Sequence, residues 1–269
     1  MKNESYFIIK NNLLKFSDVS TIWIRKGNFF KSMRSDQIDS LITAEFILNE
    51  ERVFYSVMAD QLRDKQTLNS LDQVYFNKLD ALKKAKKIGI NVPFSLILNS
   101  RNLLSKVTTD NKMITKPLFN IIDPRSKLSM LTRLLNEEDI KGLPTTFYPS
   151  LIQEYISSAY EIRTVFLLGE LYSCVLVPRY KDNKLPDYRG SVYGDLGLEP
   201  IKMEDFIHEK ICSLMKELKL NFCSLDFIVD KNKECYLIDI NPFGQYGMVS
   251  VKYNNIIDLK IAKYLGNEK

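Results

Sequence analysis

Residues Leu225 to Gly247 read "LDFIVDKNKECYLIDINPFGQYG". Two short runs, "LDFIV" and "CYLIDI", are rich in β-branched and aromatic residues and are separated by the polar "DKNKE", the pattern of a β-hairpin. With the turn centred on Lys231 and Asn232, Asp226 lies opposite Leu237. The period-2 alternation of a strand then puts Leu237, Asp239 and Asn241 on the face of Asp226. Diagonal neighbours on one sheet face sit roughly 7–8 Å apart, a gap that one or two hard cations bridge with carboxylate and amide oxygens. Acids at such positions either face solvent or hold a cation. The first is the common case, but the apolar residues flanking these two weaken it, because an unpaired buried carboxylate is costly, and both readings stand at this point. Pro242 has no backbone donor and ends the second strand, which leaves Asn241 at its exit.

The rest of the composition limits what such a site can serve. A chain of 269 residues with 45% hydrophobic content can bury a substantial core, as one large domain or two to three subdomains. No apolar stretch reaches the roughly 18 residues needed to span a bilayer. The opening "MKNESYFIIKNN" lacks the apolar core of a signal peptide, so the reading is a cytoplasmic protein with no membrane partner. Cys174, Cys212, Cys223 and Cys235 show no CxxC spacing and are expected as free thiols. The net charge of +5 is spread along the chain, as in "LKKAKK", and its basic residues do not alternate with aromatics on one face. Nucleic acid is therefore not the expected partner, whereas an anionic nucleotide suits the charge.

The inventory also excludes chemistry. The one histidine, His208, sits in the amphipathic helical run "MEDFIHEKICSLMKELKL", a poor place for a Ser-His-Asp or Cys-His nucleophile. Neither GxxxxGK[ST] nor GxGxxG occurs, so no P-loop and no dinucleotide-binding turn is written here. "GSVYGDLG" has glycines but no lysine and reads as a loop.

Along the chain, "YFIIK", "NLLKFS" and "STIWIRKG" read as strands. A helix follows over residues 35–62, with Ser35 and Asp36 as its cap. A second helix runs through "VYFNKLDALKKAKKIG" and stops at Gly89, followed by the strand "NVPFSLILNS". "KMITKPL" and "PSLIQEYI" read as strands flanking a helix that includes "KLSMLTRLL". The remainder, with a helix over Phe206 to Leu220, is mixed α and β.

In this order, "NKLDALKKAKKIGINVPFSLI", "ITKPL", "IQEYI", "EIRTVFLLGEL", "DYRG" and "LDFIVD…YLIDINPFGQYG" resemble the ATP-grasp ligases. "INPFGQYG" and "IWIRKG", the latter similar to a tryptophan-arginine strand, resemble more narrowly the graspetide (microviridin-type) peptide maturases. The resemblance runs from about Ile22 to the C-terminus. It implies an α/β (α+β) ATP-grasp fold: a shortened N-terminal domain over residues 1–100, a central lid-like unit over 101–155, and a C-terminal antiparallel-sheet domain over 156–269.

The resemblance also implies roles. Lys78 and Lys116 match the lysines that hold ATP phosphates, a task suited to a compact ammonium. Gln153, Glu154, Tyr155 and Ile156 match the hinge that meets adenine, and Glu161 is placed to reach the ribose. Arg163 and Arg189 match the arginines near the transferred phosphate, with Asp187 in the same "D-aromatic-R" pattern. Asp226, Asp239 and Asn241 take the magnesium positions, although the family carries Glu where Asp239 stands. ATP and Mg2+ are the implied cofactors, and the implied partner is a ribosomally made precursor peptide with leader and core. Its Asp or Glu side chains would be activated as acyl phosphates and joined to Thr or Ser hydroxyls or Lys amines. A homodimer is also implied. Two alternatives stand beside this reading: an ATP-grasp ligase joining free amino acids to a small carboxylate or a protein C-terminus, and a non-catalytic nucleotide- or peptide-binding protein.

Overall fold

The computed structural model describes residues 6–9, 12–25, 41–70, 73, 76–109, 111–116, 122–123, 128–129, 132–178 and 196–266. Two short strands, β1 (Tyr6–Ile9) and β2 (Asn12–Lys15), pair as an antiparallel hairpin. β3 (Thr21–Trp23) and β4 (Gln66–Leu68) are parallel neighbours joined through helix α1 (Leu41–Gln61). Tyr55, Met58 and Leu62 turn inward to meet Phe16, while Phe46, Val53 and Val57 stay exposed. The expected caps Ser35 and Asp36 lie outside the described residues.

Helix α2 (Lys78–Lys87) starts where its local chemistry dictates: the Asn77 side chain accepts from the amides of Leu79 and Asp80. It stops at Gly89, whose φ of +80° allows the Schellman pair of bonds, Gly89 N–H to Lys86 O and Ile90 N–H to Ala85 O.

A four-stranded sheet follows, in the order β5 (Ser95–Ser100), β10 (Thr146–Glu154), β6 (Met113–Lys116), β9 (Arg133–Leu134). Helices α3 (Arg101–Thr108) and α4 (Glu137–Lys141) pack over Met113 and Ile152 of this sheet through Leu104 and Ile140. A separate two-stranded piece, β7 (Ile122–Asp123) with β8 (Leu128–Ser129), lies between β6 and β9 in the chain.

The helix expected through "KLSMLTRLL" is not what forms. Leu128–Ser129 and Arg133–Leu134 are strands, and β9 completes the sheet edge by pairing Ile114 with Leu134 and Thr115 with Arg133. Leucine-rich periodicity favours a helix locally, but an open sheet edge beside it offers backbone partners that override propensity. The helix of this region comes later, at α4, where an Asn136–Asp139 capping box starts it.

The largest sheet has the order β13 (Leu196–Ile201), β12 (Glu170–Pro178), β11 (Ser158–Leu167), β14 (Phe222–Asp230), β15 (Cys235–Asn241), all neighbours antiparallel. Helices α2 and α5 (Asp205–Glu217) cover one face through Ala81, Ala85, Ile211 and Leu214. Helices α6 (Gly247–Lys252) and α7 (Ile256–Leu265) cover part of the other through Val249, Ile257 and Ile261. β3 and β4 dock beside them: Thr21 Oγ1 donates to Leu265 O at 2.8 Å and Gln66 Nε2 to Tyr264 O at 2.5 Å. Among the described residues no helix is long and apolar enough to cross a membrane.

Candidate active site

The hairpin of β14 and β15 forms as its sequence suggests, with a different register. Val229 pairs with Cys235 and Phe227 with Leu237, which centres the turn on Asn232. The ladder then shifts between Phe227 and Asp226, so that Asp226 lies opposite Asp239 and Ser224 opposite Asn241. Leu237 is therefore not Asp226's partner. Ile238 is the extra residue of a β-bulge, and that one residue sends Leu237 to the opposite face, where it is fully buried with Phe227. Asp226, Asp239 and Asn241 keep the common face that alternation assigns them.

Asp226 sits in a rung that crosses three strands, Arg163 on β11, Asp226 on β14 and Asp239 on β15. Arg163, nearly buried, grips Asp226 with two donors, Nε to Oδ1 at 2.5 Å and Nη2 to Oδ2 at 2.9 Å. Such a fork is the geometry in which a buried ion pair recovers its desolvation cost. Burial pushes the Asp226 carboxyl above the usual range; the Arg163 charge opposes that push and the Asp239 carboxylate adds to it.

Asp239 has its own cation. Lys78, the first residue of α2, places Nζ 2.9 Å and 3.0 Å from its two carboxylate oxygens. Lys116, at the end of β6, donates from Nζ to the carbonyl of the bulged Ile238 at 3.0 Å. Two lysines from different units thus converge on adjacent residues of β15. Ile238 is the site element the sequence did not disclose, since a bulge has no side-chain signature in "CYLIDI".

The strand exit is closely packed. Asn241 Oδ1 accepts from Phe243 N–H at 3.1 Å, and Gly244 N–H donates to Asn241 O at 3.1 Å. A Cβ on Gly244 would stand 1.6 Å from Ser224 Oγ, so only glycine lets this turn cross β14. Beyond it Tyr246 meets Trp23 and Phe222, with ring centroids 5.9 and 5.6 Å away, and the Arg25 guanidinium lies 4.8 Å from the Trp23 ring and 5.1 Å from that of Tyr246. The "IWIRKG" stretch and "INPFGQYG", far apart in sequence, are therefore one contact.

The expected hinge is the end of β10. Gln153 is buried and donates from Nε2 to Ser95 Oγ at 2.8 Å. Glu154 N–H is bound to Phe94 O and Tyr155 N–H to Lys112 O, whereas no bond among the described residues engages the Ile156 amide. Glu161 stands on β11 two residues before Arg163, on the same face by alternation. Arg189 and Asp187 lie outside the described residues.

The donor set around the rung, two carboxylates and a carboxamide, fits a hard oxygen-seeking cation such as Mg2+. The ammonium of Lys78 on Asp239 shows that a positive charge is accommodated there. All four cysteines are free thiols, and among the described residues no group of three or more His, Cys, Asp and Glu is placed to hold a metal ion.

No family model matches the chain, and no curated protein matches it. Solved structures do. Macrocyclase MdnC bound with precursor peptide MdnA, from Microcystis aeruginosa MRC, is 21% identical with a TM-score of 0.80, over 96% of this chain and 82% of that one. The Chryseobacterium gregarium RiPP-associated ATP-grasp ligase, in complex with ADP and a leader and core peptide, is 18% identical with a TM-score of 0.77, over 99% and 85%. The ATP-grasp ligase PsnB, complexed with minimal precursor, Mg and ADP, is 13% identical with a TM-score of 0.70, over 98% and 85%. The mixed helices and antiparallel sheets described above are therefore the fold of the ATP-grasp ligases.

Proposed function

We propose that this chain is an ATP-dependent peptide maturase that forms macrocyclic ester or amide links within a ribosomally made precursor peptide. The observation that carries the reading is the convergence of Lys78, Lys116 and Arg163 on the Asp226–Asp239 rung. It is supported by the fold shared with macrocyclase MdnC, whose structure holds a precursor peptide, and with PsnB, whose structure holds Mg and ADP.

In this reading Asp226, Asp239 and Asn241 hold Mg2+, and Lys78 and Lys116 hold the nucleotide's phosphates. Gln153 to Ile156 receive adenine, with Glu161 on the ribose. Bound Mg·ATP supplies an electrophilic γ-phosphoryl group with its charge partly neutralised. A peptide Asp or Glu carboxylate takes that group, ADP leaves, and a Thr or Ser hydroxyl or Lys amine displaces phosphate from the acyl carbon. The net change is loss of one water per link. Arg163 and Arg189 stabilise the negative charge developing on the transferred group, with Asp187 in the same motif as Arg189. No protein nucleophile is required, in keeping with a single histidine held against Gly169 O. The division at residues 100 and 155, the cytoplasmic location and a homodimer belong to the same proposal.

The test is intact mass spectrometry of a precursor peptide encoded beside the gene, incubated with the chain, ATP and Mg2+. Losses of about 18 Da per ring, absent with Asp226→Ala, are expected. A requirement for a free amino acid in place of the peptide would point to an amino-acid ligase. ATP binding without ADP release would point to a non-catalytic protein.

A further inference from the structure

Asn69 is buried to 2% exposure, sits in the left-handed region with φ of +62°, and directly follows β4. Its side chain is spent at both ends on the hairpin that carries the acids. Oδ1 accepts from Phe222 N–H at 3.2 Å, where β14 begins, and Nδ2 donates to Pro242 O at 2.5 Å, just beyond the end of β15. Its backbone N–H donates to Asn221 Oδ1 at 2.7 Å, and Asn221 Nδ2 returns a bond to Thr67 O at 2.6 Å.

The location explains the arrangement. Ser224 and Asn241 form the last rung of the ladder, and Pro242 has no N–H with which to continue it. The Asn69 carboxamide bridges the two strands beyond that rung. Strand ends without such a partner fray at little cost in free energy, and a frayed end would let Asn241 swing. Ser70 N–H and the buried Gln73, which caps Lys219 O at 2.8 Å, hold the same segment from behind.

We infer that Asn69 is a positioning residue for the metal site: it locks the exit of β15 to the entry of β14 and so fixes the direction of the Asn241 carboxamide. The N-terminal β3–β4 unit thereby sets the metal affinity of a site to which it contributes no ligand. This rests on the reading of Asp226, Asp239 and Asn241 as the magnesium residues.

The experiment uses the full chain and Mn2+ as an EPR probe at saturating ADP, beside metal-free ADP binding and thermal melting. Asn69→Gly keeps the left-handed backbone without strain and removes the carboxamide. Asn69→Asp keeps an acceptor for Phe222 N–H and turns a carboxylate oxygen toward Pro242 O, and it carries the test if the glycine variant does not fold. The expected result is a loss of Mn2+ affinity of about 10-fold or more in both variants, the scale for groups that orient ligands, with metal-free ADP affinity unchanged. Parent-like Mn2+ affinity at a lowered melting temperature would overturn the inference and leave Asn69 a purely structural clamp. Asn241→Ala and Asp226→Ala separate the two levels. If they too bind Mn2+ like the parent, the site reading itself fails; if they lose it while both Asn69 variants keep it, only the present inference fails.

Discussion

Lys78 Nζ lies within 3.0 Å of both carboxylate oxygens of Asp239, so the acid directly opposite Asp226 already carries a cation delivered by the first turn of α2. An ammonium and a metal ion cannot both neutralise the same carboxylate without excess charge. Under the proposed function Lys78 leaves Asp239 as a metal arrives, and a nucleotide phosphate is the group that takes it. Lys78→Met is therefore expected to raise Mn2+ affinity in the absence of nucleotide, by roughly 10-fold for a partly exposed charge pair, and to lower ATP turnover. EPR titration without nucleotide checks this. Unchanged affinity would mean that Lys78 does not compete for the site.

Gly244→Ala is expected to destabilise the chain by about 2–4 kcal/mol, because the new methyl meets Ser224 Oγ and Cβ in a packed strand crossing. Ser224→Gly in the same chain removes both clashing atoms. Chemical denaturation of the single and double variants should show most of the loss recovered; an equal loss in both would place the strain elsewhere.

The Glu170–Lys260 pair ties α7 to the start of β12, and Tyr172 OH adds a bond to Glu170 Oε2 at 2.6 Å. The Lys260 hydrogen bond, with that of Tyr172, holds the Glu170 carboxyl below its ordinary 4.5, and Glu170 in turn raises Lys260 above 10.5. A depressed acid stabilises the fold above its unfolded pKa and loses that contribution as pH falls through its folded one; a raised lysine does so below its unfolded pKa and loses it as pH rises through its folded one. Melting temperatures of the parent and Glu170→Gln should thus differ by a constant amount between about pH 5 and 10, and converge below about pH 4.5. Both side chains are partly exposed, so added salt should shrink the gap. A gap that persists at pH 3 would exclude the ion pair as its source.

Cysteine reactivity should follow burial. Burial raises the Cys174 and Cys235 thiols alike to about 11 and pushes Cys223 higher still, but only Cys174 and Cys223 are fully enclosed, so access separates them. Alkylation with iodoacetamide at pH 7.5, read by peptide mass spectrometry, is expected to reach the half-buried Cys212 and Cys235 first and the other two only on unfolding. Rapid modification of Cys174 in the native chain would contradict its placement.

Much of the architecture was written locally. The Asn77 cap and Gly89 stop of α2, the α5 helix and the β14–β15 hairpin all come from short-range chemistry, so a few neighbouring residues sufficed to read them. The shared face of Asp226, Asp239 and Asn241 was legible for the same reason, because alternation is a property of one strand. The register was not. A turn centred half a residue later and a bulge at Ile238 each shift the pairing by one residue, which keeps Asp239 and Asn241 on the face of Asp226 and sends Leu237 to the other.

The sequence set the chemistry available: oxygen donors on one hairpin face, lysines and arginines that suit an anion, and a single histidine. Tertiary structure decided which of these groups meet. Lys78 reaches Asp239 across 161 residues of chain, Lys116 reaches Ile238 across 122, and Asn69 bridges to Pro242 across 173. Arg133–Leu134 of "KLSMLTRLL" became strand because β6 left an edge to be paired, and Leu128–Ser129 because it meets β7. The physical reason is common to all four cases. Local propensities differ by less than about 1 kcal/mol per residue, whereas a buried charge, carboxamide or backbone group left without a partner costs more than that. The partner therefore prevails, and no stretch of sequence announces a partner that lies elsewhere in the chain.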